Sequence, residues 1–403
     1  MLNRILLFTT AFRPFIGGSE LAIEEIAKRL PDVHFDIITP RYTRRLPRIE
    51  EGGNARVYRV GWGLLSDKFF FSLTGFLLAR QLIRANPYNI IHAYQASYGA
   101  GAAWLLKIFN PKLKFVLTLQ EGKNLKRQGF GVNFFRKLII RKADVITAIS
   151  QYLKDYAGKI NKKAKLFLIP NGVDIESFSR DFSYGELSLL TDSLGIKPDE
   201  KVIVTVSRLV PKNGVDILIK AFQILNSKFA YSARRLQSLW RRTTEAAASA
   251  AKAGQIPDSK LLIVGDGPEM ESLKLQAKSL GLIDKVFFAG SVNHIELPGY
   301  LKISDVFARP SRSEGLGSAF LEAMAAGTPV IGTCVGGIPD FLKNKGTGLF
   351  ADIDSPKDWA EKINLILTNK ELREKIVKNA RELAKQKYDW NKIAEQFKEI
   401  YKI

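Results

Sequence analysis

Short runs of β-branched and aromatic residues alternate with segments of helical periodicity along nearly the whole chain, the pattern of an α/β protein built on parallel sheets. In the first half the runs that predict strands are "RILLFTT", "HFDIITP", "ARVYRV", "NIIHAY", "KFVLTL", "DVITAIS" and "KLFLIP". In the second half they are "KVIVTVS", "KLLIVGD", "KVFFAG", "DVFARPS", "PVIGT" and "TGLFAD". Two sheets, each with its own helices, fit this pattern. A polar stretch rich in turn residues, "NGVDIESFSRDFSYGELSLLTDSLGIKPDE", parts the halves and predicts a linker. The expected organisation is a domain over residues 1–175, a linker over 176–200, a second domain over 201–385, and a closing helix over 386–403 that packs back on the first domain.

One segment breaks the alternation. Between the helical pattern "GVDILIKAFQIL" and the strand "KLLIVGD" a connection of about 2 to 6 residues is usual. Here "NSKFAYSARRLQSLWRRTTEAAASAAKAGQIPDS" intervenes, a basic insertion near 228–259 whose first part reads as a helix carrying aromatic residues.

Composition narrows the class. At 403 residues the chain is too long for one ordinary core, so two domains of about 150 to 200 residues each are expected. A hydrophobic share of 46% and a mean hydropathy of -0.05 describe a soluble globular protein rather than a disordered one. The single cysteine, Cys334, gives no intrachain disulfide and suits a reducing cytoplasm. The opening "MLNRILLFTTAFRPF" ends in Arg13 and Pro14 rather than in a small-residue cleavage site, and reads as a buried strand. The most apolar later run, "FFFSLTGFLLA", is shorter than the ~18 to 20 residues a spanning helix needs. A net charge of +21 implies an anionic partner: a phosphorylated substrate, an anionic leaflet or nucleic acid. A solvated basic surface with no partner is the plain alternative.

The stretch "SRSEGLGSAFLEAMAAGTPVIG", from Ser311 to Gly332, carries the most specific chemistry. It parses as a strand end, a loop, a helix capped by Ser318 and closed by Gly327 and Pro329, and a further strand. Gly315 and Gly317 therefore lead directly into a helix N-terminus. Glycines admit a ligand close to the backbone, and the unpaired amides of a helix start favour an anion, so the loop suits a phosphate. Glu314 precedes the loop and Glu322 lies one turn into the helix. Acceptor groups on both sides of a phosphate site fit ribose, diphosphate and hexose in series, the form of a nucleotide sugar. The spacing alone equally fits an exposed loop carboxylate and a solvent-facing helix position.

The stretch resembles the E-x7-E motif of the retaining GT-B glycosyltransferases of family GT4, and further pieces agree in order. "PFIGGSELAIEEIAKRL", "IPNGVD", "SRLVPKNGVDILIKAF", "LLIVGDGPE", "GSVNHIELPGYLKISDVFARPS" and "GTCVGGIPDFL" all resemble segments of that family, and together they cover the chain apart from the insertion. The resemblance implies two Rossmann-like domains with parallel sheets facing across a donor-binding cleft. It gives Glu314 the donor sugar hydroxyls, Glu322 the ribose, and the backbone of Gly315, Leu316 and Gly317 the sugar and phosphates. Arg208 would neutralise the diphosphate. The family's lysine is replaced by Asn213; Lys212, one place earlier, would reach the same phosphate and is read as catalytic with Arg208 and Glu314, while Asn213, Val292 and the first-domain pair Gly17 and Gly18 join the donor set. His92 resembles the first histidine of the family's H-x-H pattern and is read as catalytic, a plain core histidine being the alternative; the pattern's second position is Tyr94 here, and Gln120 replaces another histidine. The family's front-face mechanism lets the departing phosphate oxygen take the acceptor's proton, so positioning and charge matter most. No metal and no cofactor are implied, and "DID" at Asp352–Asp354 reads as surface.

The expected activity is hexose transfer from a nucleotide diphosphate sugar to a lipid-linked or polysaccharide acceptor in cell-envelope glycan synthesis. Transfer to a soluble acceptor and catalytically silent sugar-nucleotide binding are the alternatives. Nucleic acid is not expected, because no nucleic-acid module is recognisable. The expected location is cytoplasmic, with peripheral attachment to the inner face of the plasma membrane. Arg234, Arg235, Arg241 and Arg242 of the insertion, beside Phe229, Tyr231, Leu236, Leu239 and Trp240, form one candidate anchor. The segment "WGLLSDKFFFSLTGFLLARQLIR" is the second, though it reads first as an ordinary core helix.

Overall fold

A computed structural model describes residues 3–15, 17–122, 129–240 and 258–402. The chain divides into two compact units. The first comprises Met1–Gly172, Glu314–Leu316 and Tyr388–Ile403, and the second Val173–Ser313 and Gly317–Lys387.

The first unit is built on eight strands: β1 (Asn3–Phe8), β2 (Val33–Pro40), β3 (Ile49–Gly52), β4 (Ala55–Val60), β5 (Ile90–Tyr94), β6 (Lys114–Leu119), β7 (Val145–Ala148) and β8 (Lys165–Leu168). Their order is β3-β4-β2-β1-β5-β6-β7-β8. Every neighbouring pair is parallel except β3–β4. Such a sheet needs cover on both faces, which is why Ile5, Leu6, Leu7 and Phe8 are all buried. The helices Gly18–Arg29 and Trp390–Lys402 share a core with Ile5 and Leu7. By the two-residue strand period Leu6 and Phe8 point the other way, toward the side covered by the helices Asp67–Ala85 and Tyr98–Phe109.

The second unit holds six parallel strands: β9 (Lys201–Val206), β10 (Ser259–Val264), β11 (Val286–Gly290), β12 (Val306–Ala308), β13 (Val330–Gly332) and β14 (Leu349–Phe350). Their order is β11-β10-β9-β12-β13-β14. The centre of its core joins Ile203, Leu261 and Ile263 to Leu218, Phe222 and Trp359.

Every quoted run forms a strand, and β3 is the addition. All four of its residues are exposed, so it carries no apolar signal. Cross-strand ion pairs Glu51–Arg56 and Glu50–Arg59 hold it to β4. The Asn54 amide fastens the hairpin by donating to the carbonyls of Ala27, Leu30 and Val33.

Three further segments differ from the sequence reading. Residues 176–200 are not an open linker. Most of Ile175–Ser179 and all of Tyr184–Ser193 are helical within them, the latter closed by a reciprocal capping box of Ser183 and Glu186, and both belong to the second unit. The insertion begins as a continuation of the helix Val215–Trp240; residues 241–257, with Arg241 and Arg242, lie outside the described residues. The helix Asp67–Ala85 is not an ordinary core helix. Phe71, Gly75, Phe76 and Ala79 are buried, but Phe69, Phe70, Leu73 and Leu77 face solvent. An all-round apolar sequence has no polar stripe to reveal which side turns outward.

Candidate active site

In the second unit, the loop after β9 carries Arg208 and then a short helical turn, Pro211–Asn213. Gly214 closes that turn with φ 67°, and a Cβ there would stand 2.0 Å from the Pro310 carbonyl, so both backbone sign and space require glycine. Arg312 fastens the same turn. Its guanidinium holds both Asp216 oxygens at 3.0 Å and Asp354 at 2.7 Å, and its N–H donates to the Lys212 carbonyl at 2.7 Å. Asp354, read as a bare surface residue, is therefore an anchor for this loop.

The turn separates its polar residues by direction. Arg208 is exposed and Lys212 half-buried. Asn213 is buried, and its amide donates to the Arg208 carbonyl at 2.6 Å. The bond shapes the Arg208 loop, while the Asn213 Oδ1 is out of solvent and without a hydrogen-bond partner. Val292 is half-buried in the loop that follows β11.

The helix Ser318–Ala326 begins at Gly317, whose φ of 99° is left-handed, and no side chain caps it. Ser318 is thus the first helical residue rather than the cap. The first turn contains no acidic residue. Seven residues, Phe320 to Ala326, are buried, which fixes the helix by packing rather than by capping. Glu322 is among them, and its Oε1 lies 3.0 Å from His294 Nε2. The His294 ring meets the Phe178 ring edge-on at 5.3 Å. Glu322 is therefore not a solvent-facing carboxylate. His294 and Phe178 have no motif of their own, and neither is legible in the sequence as part of this site.

In the first unit, Gly17 and Gly18 are exposed at the start of the helix Gly18–Arg29. No side chain caps this helix either, but its first turn holds an acid: Glu20 is buried, accepts from Ser19 Oγ at 2.9 Å, and lies where a Cβ on Gly17 would stand 2.7 Å from its Oε2. Burial pushes the Glu20 carboxyl up, and hydrogen bonding from Ser19 and the backbone opposes the shift. The Asn171 amide donates to the Gly18 carbonyl at 3.3 Å, and Gln120 donates to Asn171 Oδ1 at 2.9 Å.

His92 is fully buried on β5, between Tyr401 Oη at 2.9 Å and Thr118 Oγ1 at 2.7 Å. Burial lowers its pKa from 6.5 to about 3. This corrects its assignment as a catalytic residue: a neutral ring with both nitrogens engaged and no exposed surface touches no substrate.

Glu314 is half-buried, and its Oε1 accepts the N–H of Gly315 at 3.2 Å. Leu316 is buried, and the Gly315 backbone lies against the carbonyl of Glu121, where a Cβ would stand 3.2 Å away. Glu121 itself escaped the sequence reading. Its Oε1 accepts the Ala96 N–H at 2.7 Å, while its Oε2 is out of solvent and without a hydrogen-bond partner. Burial pushes its pKa up, opposed by the Ala96 bond and the Arg136 charge. Nearby Gln95 holds a left-handed φ of 63°. The sequence does not signal this group, because its members end different strands.

Among the described residues, no group of three or more His, Cys, Asp or Glu side chains is placed to hold a metal ion. No described helix is long and apolar enough to cross a membrane.

Comparison with known proteins decides the family. Residues 16–177 match the Glycosyltransferase Family 4 model, and residues 189–383 match the Glycosyl transferases group 1 model. The chain belongs to the GT4-type glycosyltransferases. The GDP-mannose-dependent alpha-(1-6)-phosphatidylinositol monomannoside mannosyltransferase of Mycobacterium tuberculosis is 28% identical over 408 residues, covering 98% of this chain and 96% of its own. Among solved structures, sucrose-phosphate synthase from Thermosynechococcus elongatus superposes with a TM-score of 0.79 at 22% identity, covering 99% of this chain and 98% of its own. HepE from Anabaena, solved with UDP and glucose, gives 0.75 at 22% identity and covers 99% of both chains. These two likenesses establish the GT-B fold. In this glycosyltransferase the sequence-selected residues are divided: Gly17, Gly18, His92, Glu314, Gly315 and Leu316 belong to the first unit, and Arg208, Lys212, Asn213, Val292, Gly317 and Glu322 to the second.

Proposed function

We propose that this glycosyltransferase moves a hexose from a nucleotide diphosphate sugar, with retention, to a lipid-linked or polysaccharide acceptor in cell-envelope glycan synthesis. The observation that carries the reading is the helix start at Gly317, left open by the chain, with the buried carboxylate of Glu322 one turn beyond it. Free amides and a partial positive charge suit a diphosphate. A buried carboxylate with one oxygen on His294 keeps the other for a ribose hydroxyl.

In this reading Arg208 and Lys212 oppose the charge that grows on the leaving diphosphate, and Glu314 orients the hexose through its hydroxyls. The departing phosphate oxygen takes the proton of the acceptor hydroxyl as the new glycosidic bond forms. Charge neutralisation falls to the two cations, so transfer is expected to persist in EDTA. The mycobacterial relative, named for a GDP-sugar donor and a lipid acceptor, supports these substrate classes. The proposed location is the cytoplasmic face of a membrane.

A thermal-shift screen across UDP-, GDP- and ADP-sugars identifies the donor, since a bound ligand stabilises by mass action. The anomeric configuration of the product, read by NMR, tests retention. Glu314→Ala is expected to lose most transfer with the fold intact, and Glu322→Ala to weaken donor binding. Wild-type behaviour in both variants would remove the donor site from this helix.

A further inference from the structure

The first unit exposes a run of large apolar side chains, the kind of surface that marks an interaction site. Trp62, Leu65, Phe69, Phe70, Leu73 and Leu77 are all more than half exposed, Leu65 at 74%. On the helix Asp67–Ala85, positions 69, 70, 73 and 77 form one outward stripe, opposite the buried positions 71, 75 and 79. Trp62 and Phe70 meet edge-on at 5.7 Å, and Phe69 meets Tyr98 at 5.6 Å. A second cluster opens the helix Phe130–Lys142, where Phe130 is 87% exposed, stacks on Phe134 and is followed by exposed Phe135.

Topology brings the two clusters to the same end. The helices Asp67–Ala85, Tyr98–Phe109 and Phe130–Lys142 follow β4, β5 and β6 of the parallel sheet, so each begins at the sheet's C-terminal edge. They also pack in that order, each on the next.

Charge selects the occupant. Across residues 61–85 the one acid is Asp67, which is buried and accepts the N–H groups of Gly63 and Leu64. Lys68, Arg80 and Arg84 are exposed on the same helix. Residues 129–142 contain no acid, and Lys137, Arg141 and Lys142 are exposed. A second copy of this chain would bring cations onto cations in a protein of net charge +21. An anionic lipid surface instead offers hydrocarbon to the aromatic residues and phosphate to the cations.

We propose that this face, residues 62–77 together with 130–135, docks on an anionic bilayer and attaches the enzyme to it. The inference deepens the lipid-linked part of the proposed function, but the attachment is read from this surface alone. Of the two anchor candidates that the sequence names, this is the second, the helix that reads first as core; the side chains of the other, the insertion, lie outside the described residues. Attachment requires both parts of the face: the aliphatic and aromatic residues enter the headgroup region, and the cations hold the protein against the surface charge.

The test is cosedimentation of the full chain with vesicles of phosphatidylcholine alone, and with vesicles containing one third phosphatidylglycerol, at low and high salt. Wild type is expected to partition at least tenfold better onto the anionic vesicles, with a loss in high salt. The exposed triple variant Leu65→Ser, Phe69→Ser, Phe70→Ser is expected to lose at least tenfold at both salts. Lys68→Ser, Arg80→Ser, Arg84→Ser is expected to lose binding at low salt and most of the salt dependence. Thermal unfolding of each variant confirms that its fold is kept. Equal binding by wild type and the apolar variant, no binding of wild type to anionic vesicles, or a self-association that the apolar variant abolishes would each overturn the proposal. Nucleotide-sugar thermal shifts on the same samples keep the two readings separate. Vesicle binding without any sugar-nucleotide shift sinks the donor reading and leaves this one standing, and the converse result does the reverse.

Discussion

Two helix starts in this protein read alike in the sequence, each a pair of glycines followed by a serine and a helical run. Neither start has a side-chain cap, but at Gly17–Gly18 the first turn holds a buried acid, Glu20, supported by Ser19. At Gly317–Ser318 the first turn holds none. The carboxylate of that segment, Glu322, is held one turn further along by His294. A glycine loop before a helix therefore suits an anion best where no carboxylate stands in the first turn. On the proposed function, the contrast favours the second start for the diphosphate.

The largest effect sharpens the comparison from the side of charge. Arg208→Ala removes an exposed guanidinium from the loop after β9, and is expected to lower kcat by about 10²- to 10³-fold, the usual cost of losing one preorganised donor to a developing anion. Lys212→Ala gives a smaller loss if the lysine shares the diphosphate. Single-turnover rates at saturating donor separate this from weakened binding. A rate within a few-fold of wild type in both variants would take the diphosphate away from this loop.

Next in size is a substitution that gives the second start an acid like that of the first. Ser318→Asp places a carboxylate in the first turn and is expected to weaken donor binding roughly tenfold, about 1.4 kcal/mol, within the range for a charge at a helix end. Isothermal titration with the donor's nucleoside diphosphate reads it directly. The same change favours the helix itself, so a fall in affinity with an unchanged or raised Tm is the diagnostic pair. Unchanged affinity would break the comparison.

His92 tests the difference between a buried motif residue and an acting one. Its folded pKa is lowered from 6.5 to about 3, so between those values the unfolded chain takes up a proton that the folded chain refuses. Stability is accordingly lost as pH falls through that window, by roughly 1.4 kcal/mol per unit at full slope. His92→Gln is expected to flatten this acid loss in urea unfolding, at a baseline cost of about 1 kcal/mol for the altered hydrogen bonds. The pH–rate profile of the remaining folded enzyme stays that of wild type. A displaced profile would restore His92 to the reaction.

These residues show what a sequence can carry. Strands with apolar, β-branched runs were legible because burial on both faces writes itself into composition. β3 was not, since its stability lies in Glu51–Arg56, Glu50–Arg59 and the Asn54 amide, all dependent on chain segments distant from its own residues or on the turn beside it. The helix at 184–193 was signalled by Ser183 and Glu186 at capping-box spacing, a cue hidden inside an otherwise polar stretch. At the site, Glu314, Glu322 and the glycines belong to one local motif. His294 reaches Glu322 across 28 positions and Glu121 reaches the Ala96 amide across 25, and no spacing rule announces either pairing.

The smallest effect is expected at the first start, and its smallness is the point. Glu20→Gln keeps the shape of the first turn and removes its charge. If no phosphate binds there, donor affinity should stay within about twofold, or ~0.4 kcal/mol, of wild type. Stability should respond instead, because burial raises the Glu20 pKa in the folded state. The folded chain then holds its proton to higher pH than the unfolded chain does. The resulting stability is fully present below the unfolded pKa and is lost as pH rises through the folded one. Glutamine cannot titrate, so the variant should lack that decline when urea midpoints are compared from acid to neutral pH. A gain in donor affinity of tenfold or more would mean that Glu20 holds a phosphate site shut, and that the two helix starts differ in gating rather than in kind.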